Sequence, residues 1–339
     1  MTASTESALV RPAVALAAAS AVSLHRTPDF FVVGHPKSGT TALYEMLRSH
    51  PQIYMPALKE PRFFADDMHR GPDRAKAGLP QTFTQYRELF ASAGADRRAG
   101  EASPFYLASS TAAEEIAAAK PDARIVAVLR EPASFLRSLH MQFVETHVEP
   151  KNSLRKALAL EDARSRGRHV PQHSPFPAKV LLYSNYTRYV EQLRRYHAVF
   201  APEQVLVLIY DDFRADNEAA VRRVLCFLGV DDTVPVAVRE ANPTVRVRAQ
   251  QLEQLMSAVS IGHGPLSRSA KAAVKLLAPR PLRRAALVGI RRRIVWSEPE
   301  APEERLMLEL RRRFKGEVVA LSEYLDRDLV TLWGYDRLA

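Results

Sequence analysis

One cysteine, Cys226, is all that the 339 residues contain. A lone thiol excludes an internal disulfide and any metal site built from several cysteines. Its setting, V-L-C-F-L-G, leads us to expect a small buried hydrophobe. H-E-x-x-H is absent. His169 and His173 stand four apart, but Pro171 between them breaks the helix that would aim both at one ion, and no metal is expected. Long apolar runs are missing too. Residues 12–24 are alanine-rich with only Arg11 ahead of them, and fall short of the roughly 20 residues of a membrane span. We therefore expect residues 1–28 to be a poorly ordered Ala-rich leader and the protein to be cytoplasmic. Acid is the last scarcity. No Asp or Glu falls between Glu253 and Glu298, where nine lysines and arginines do, so the net charge of +10 belongs almost wholly to that segment.

What is present reads as an ordinary globular chain, 47% apolar and 25% charged. Its length fits one large domain over residues 29–339, with 254–297 a basic helical insertion. Leucines and isoleucines interleave with the basic residues of 265–296. Such a stretch suits an anionic membrane surface or a polyanionic acceptor, or simply a solvated helical hairpin. No nucleic-acid motif accompanies it, and a nucleic-acid partner is not expected.

Three runs read as strands buried on both faces: 30–33 (F-F-V-V), 124–129 (R-I-V-A-V-L) and 205–210 (V-L-V-L-I-Y). Helical spacing follows the first from Thr40, until His50-Pro51 stops it. Further helices are expected over 84–90, from Thr111 (capped, with Glu114 completing a capping box) to 119, from Ser134, over 152–165, 186–200 and 219–228. Strands alternating with helices predict an α/β fold with a mostly parallel sheet covered on both sides.

The stretch D-F-F-V-V-G-H-P-K-S-G-T-T joins a strand to a helix through a small-residue loop, His35-Pro36-Lys37-Ser38-Gly39-Thr40-Thr41. Loop amides and first-turn N–H groups lack backbone partners there, and the helix dipole favours an anion. Gly34 and Gly39 have Walker A spacing, but Thr40 stands where that motif has lysine; the one lysine, Lys37, lies inside the loop. In V-L-R-E-P-A-S-F-L-R-S, Arg130 ends a strand and Ser138 follows eight residues on, a planar cation and a hydroxyl suited to a phosphate. A third stretch is Lys59-Glu60-Pro61-Arg62-Phe63-Phe64, where a glutamate beside a lysine stays ionised and can accept a proton. By themselves these residues also allow a solvated Lys-Glu pair and a structural arginine.

Together, over residues 29–230, they resemble the sulfotransferases that use 3′-phosphoadenosine 5′-phosphosulfate (PAPS), in motif style the heparan-sulfate type and its bacterial relatives. The resemblance implies a P-loop-like three-layer fold with a helical C-terminal elaboration, and O-sulfation of a carbohydrate, lipid or other alcohol without a metal. It also implies roles: the loop 35–41 for the 5′-phosphosulfate, Lys37 for the leaving group, Arg130 and Ser138 for the 3′-phosphate, Glu60 as base and Lys59 beside the transferring group. Arg62 replaces a histidine common in the family. G-E-A-S-P-F-Y is similar to a family turn and makes Glu101 and Ser103 pocket candidates, and Arg246 and Arg248 are candidates for the nucleotide's far end. Two rivals stay open on the residues: a P-loop kinase using ATP, and a non-catalytic binder of anionic lipid or polymer.

Overall fold

The computed structural model describes residues 26–69, 78–171, 176–236, 246–247, 296–297 and 303–338. Five strands, β1 (Phe30–Val32), β2 (Ile53–Tyr54), β3 (Arg98–Ala102), β4 (Arg124–Leu129) and β5 (Val205–Ile209), form one sheet in the order β2-β3-β1-β4-β5. Every pairing in it is parallel. Parallel neighbours need crossovers, and helices supply them. They are α1 (Thr40–Arg48), α2 (Phe83–Glu88), α3 (Ala112–Ala119), α4 (Pro132–Glu145), α5 (Leu154–Leu158), α6 (Glu161–Ser165), α7 (Tyr189–His197), α8 (Tyr210–Ala215) and α9 (Asn217–Leu228), then α10 (Glu304–Tyr324) and α11 (Leu329–Leu332).

Strand side chains alternate between two cores. Phe31, Val33, Ile125, Ala127 and Leu129 join one cluster with side chains of α4, α7 and α10. Phe30, Val32, Val126 and Val128 join the other, with α1 and α9. Period-2 alternation with both faces apolar makes the sheet the middle of three layers. Because β1 is central, with β3 on one side and β4 on the other, the strand order reverses there. In open α/β sheets, the crevice beyond the carboxyl ends at such a reversal is where ligands collect.

Several expectations need correction. Cys226 is exposed, because α9 buries Ala220, Val221, Val224, Leu225 and Leu228 and its thiol, turned off that face, donates to Asp232. Thr111 makes no side-chain cap; Ser109 Oγ accepts from the Thr111 and Ala112 amides instead. α4 begins at Pro132, with Glu131 as its cap. The expected helix over 152–165 is two short ones, and a 3₁₀ turn occupies Tyr183–Thr187 before α7. β5 is an edge strand whose first three residues are only half-buried. The leader lies outside the described residues up to position 25. The basic segment does too, except for Trp296–Ser297, which pairs antiparallel with Arg246–Val247 beside α4. Arg248 is likewise outside them.

Below α4, Arg164 and Glu149 form a fully buried bidentate pair at 2.7 and 2.8 Å. Glu149 also accepts from Tyr183 OH (3.2 Å) and the Lys151 amide (2.8 Å). Arg164→Met would strand that carboxylate in the core. We expect a loss of about 3–5 kcal/mol in unfolding free energy, measured by urea titration; a loss below about 1 kcal/mol would show that the pair is not structural.

Candidate active site

The loop leaving β1 stays against β4: the Val33 amide donates to Val126 O (2.9 Å) and the His35 amide to Val128 O (3.3 Å). His35 is fully buried, its ring stacked on Phe135 at 4.8 Å. Its Nε2 meets Gln192 Oε1 at 2.8 Å, and Gln192 Nε2 donates to Asn185 O, which fixes the amide and assigns the histidine proton to Nε2. Burial pushes the imidazole down to about 3, against the Gln192 bond, so it is neutral. His35 is therefore scaffold: it bolts the loop to α4 and α7.

Beyond it the loop opens. Lys37 adopts a left-handed backbone (φ 63°), as does Gly39 (φ 85°). A Cβ on Gly39 would also press to 3.0 Å from the Phe213 ring, so two constraints favour glycine. These turns leave the amides of Lys37, Gly39, Thr40, Thr41 and Ala42 without acceptors among the described residues. α1 has no side-chain cap and no acid in its first turn. Ser38 is fully buried and its Oγ has no partner among the described residues. Buried hydroxyls are nearly always hydrogen-bonded, so this arrangement fits an anionic ligand group.

Arg130, at the end of β4, faces the same loop. Its Nη1 donates to Lys37 O (2.7 Å) and its guanidinium lies over the Tyr210 ring at 4.7 Å. No carboxylate among the described residues pairs with it. Ser138, two turns into α4, is buried and its Oγ has no partner among the described residues. Burial holds Lys37 below its ordinary pKa against the opposing pull of Glu145, and Arg130 adds a smaller push in the same direction as burial. A second cation beside Lys37 destabilises its ammonium, and an anion bound there would relieve it.

Glu60 comes from the other side of β1. Ser103 follows β3, its amide bonded to Val32 O (3.2 Å), and its Oγ accepts from the Arg62 amide (3.1 Å). That anchors the K-E-P-R loop, where both Glu60 (φ 59°) and Arg62 (φ 52°) are left-handed, a costly backbone that clusters at functional sites. Lys59 Nζ meets Glu60 Oε1 at 2.7 Å and Arg62 Nη2 meets Oε2 at 2.5 Å. Burial works to raise the Glu60 carboxyl, but the two cations outweigh it and hold it below the usual range. A chain of contacts runs from this carboxylate to the anion loop: Arg62 over Phe105 (4.8 Å), Phe105 to Tyr186 (6.4 Å), Tyr186 to His35 (6.4 Å).

Glu101 lies beneath that loop as a support. It is fully buried and accepts from Ser103 Oγ (2.5 Å), Tyr86 OH (2.5 Å) and Tyr106 OH (3.1 Å), yet burial outweighs these donors and pushes it up to about 7. Its folded pKa lies above the unfolded value, so its contribution is most favourable below about pH 4.3 and declines as pH rises toward 7.

Tyr210, Phe213 and Gln192 were not among the sequence candidates. The first two directly follow β5, and the rule that ligands gather at strand carboxyl ends could have found them. No group of three or more potential metal ligands occurs among the described residues. No helix among them is long and apolar enough to cross a membrane.

Known proteins point the same way. A family model described as "Sulfotransferase family" matches residues 28–234. Carbohydrate sulfotransferase 15 of Mus musculus is 26% identical over 254 residues, covering 60% of this chain and 44% of that protein. Heparan sulfate glucosamine 3-O-sulfotransferase 6 of Homo sapiens is 32% identical over 130 residues, 38% of this chain and 34% of that one. The chain thus spans less than half the length of these curated relatives. A solved sulfotransferase from Alicyclobacillus acidocaldarius superposes with a TM-score of 0.62 at 26% identity, covering 90% of this chain and 98% of its own. With a strand-to-helix loop that lacks the Walker lysine, an arginine at the neighbouring strand end that pairs with no carboxylate among the described residues, and a family match over residues 28–234, the chain belongs to the sulfotransferase family.

Proposed function

We propose that the protein transfers a sulfuryl group from PAPS to a carbohydrate hydroxyl. The observation that carries this reading is a loop of amides without acceptors among the described residues, with an arginine that pairs with no described carboxylate set directly against it. Among the described residues the amides of Lys37, Gly39, Thr40, Thr41 and Ala42 and the buried Oγ atoms of Ser38 and Ser138 have no partner, and Arg130 Nη1 donates to the loop at Lys37 O. PAPS would supply an activated sulfuryl group at the outer end of its 5′-phosphate, and the S–O bond that breaks leaves adenosine 3′,5′-bisphosphate. The loop amides with Ser38, Thr40 and Thr41 would hold the 5′ end, and Arg130 and Ser138 the 3′-phosphate. Lys37 neutralises charge that gathers on the departing phosphate oxygen, a preorganised electrostatic contribution. Glu60 takes the proton of the acceptor hydroxyl, and Lys59, paired with it at 2.7 Å, places a positive charge beside the transferring group. The carbohydrate assignment rests on the likeness to two sulfotransferases named for carbohydrate acceptors.

Incubation with sulfur-35-labelled PAPS and a panel of desulfated glycosaminoglycan oligosaccharides, monosaccharides and simple alcohols tests it. Labelled oligosaccharide is the expected product; label on alcohols alone would overturn the acceptor class, and phosphate transfer from Mg-ATP would overturn the donor. Arg130→Ala should raise the KM for PAPS by about 10- to 100-fold, the worth of a lost charge-assisted contact. An unchanged KM would remove Arg130 from the donor site.

A further inference from the structure

The residue after Arg130 and the helix that carries the ring beneath it are both tied to a single C-terminal segment that lies beyond the residues matched by the family model. The residue after it, Glu131, caps α4 through the Ala133 and Ser134 amides (3.1 and 2.7 Å). Its Oε1 also accepts from Tyr335 OH at 2.6 Å, 204 positions away in the chain. The ring under the Arg130 guanidinium, Tyr210, opens α8, and the next two residues of α8 are tied to the same segment. Trp333 Nε1 donates to Asp211 Oδ2 (2.9 Å), and Arg327 pairs with Asp212 at 2.6 and 2.7 Å. Gly334, with φ 72°, turns the chain between the two aromatics so that one faces α8 and the other Glu131. Nothing crowds its Cβ position, so the left-handed backbone alone favours glycine there. Tyr335 is fully buried and Trp333 nearly so.

These bonds are aimed unusually well for a segment that serves only to close the core. Leu329 and the Trp333 ring already bury apolar surface. The polar bonds add something else: they fix the backbone on one side of Arg130 and the aromatic plate beneath it. Charge-assisted bonds of this length fix orientation as well as distance. We propose that residues 327–335 form a strap that positions Arg130 and thereby sets affinity for the nucleotide's 3′-phosphate. This rests on the donor reading above. Tyr335 and Trp333 act through Glu131 and α8, so they are positioning residues and touch no ligand.

Calorimetric titration of the full chain with adenosine 3′,5′-bisphosphate and with adenosine 5′-phosphate separates the possibilities, because only the first carries the group Arg130 would meet. Tyr335→Phe keeps the ring and removes the bond to Glu131; Trp333→Phe does the same for Asp211. Each should weaken the bisphosphate by about three- to thirtyfold, the range of an indirect coupling, and leave the monophosphate within about twofold. Equal losses for both ligands would make the strap a general stabiliser and overturn the proposal, as would no loss in either variant. Should one variant fail to fold by circular dichroism, the other carries the test. A wild-type protein that binds neither nucleotide would bring down the donor reading itself, and the strap with it.

Discussion

Lys37→Ala should cut sulfuryl transfer by about 10²- to 10³-fold, the usual cost of removing one preorganised group at a developing charge. Protein stability should hardly move. Residue 37 has a left-handed backbone with either side chain, so that strain is common to both proteins and cancels. The ammonium is itself destabilised by burial and by Arg130, with Glu145 only partly offsetting, so its loss costs the fold little. Lys37→Met, which keeps the length of the side chain, should be as inactive as the alanine variant. Turnover within a few-fold of wild type in either would show that the cation does not act on the leaving group. A parallel fall in thermal midpoint would show that the loop, and not the charge, had failed.

Glu60→Gln should be of similar severity, about 10²- to 10⁴-fold in kcat. Shape is kept and the proton acceptor is lost. The pH dependence adds a sign that can be checked. Because Lys59 and Arg62 hold the folded carboxyl below its unfolded value, Glu60 stays ionised at and below about pH 4.3. Its contribution to stability is present above that value and fades as pH falls through the depressed folded pKa. The acid limb of kcat/KM, which reports the free enzyme, should therefore lie below about pH 4.3. A limb near pH 7 would implicate another group, and a Glu60→Gln enzyme with full turnover would end the assignment.

The parts of the molecule legible from sequence are those whose physics is local. An unbroken apolar run, a loop without side chains to block it and a helix start without an acid describe residues 29–48, and the structure has that strand, loop and helix. Arg130 was readable because it ends an apolar strand. Local rules failed where two residues compete for one task. Ser109 and Thr111 can both cap α3, and only the packed turn decides for Ser109. V-L-V-L-I has the composition of a central strand, yet its place at the sheet edge leaves Val205–Val207 half-covered. Helical phase decided Cys226, which a simple apolar neighbourhood could not.

What stayed hidden is contact between distant positions. Gln192 meets His35 across 157 residues, and Tyr335 meets Glu131 across 204. Arg62 shows the same limit in a different form. Its substitution for the family's histidine is visible in sequence, but its bond to Glu60 and its stacking on Phe105 depend on a left-handed turn and on the hydroxyl of Ser103. Glu101, a pocket candidate from its motif, is fully buried and accepts from Ser103 Oγ, which in turn holds the Arg62 amide.

Titration of the wild-type protein with adenosine 3′,5′-bisphosphate, with Mg-ATP and adenosine 5′-phosphate alongside, decides whether the chain holds this donor. A loop for the 5′-phosphate and an arginine for the 3′-phosphate predict saturable heat with the bisphosphate, tighter than with the monophosphate and independent of magnesium. Equal affinity for bisphosphate and monophosphate, or tighter binding of Mg-ATP, would contradict it.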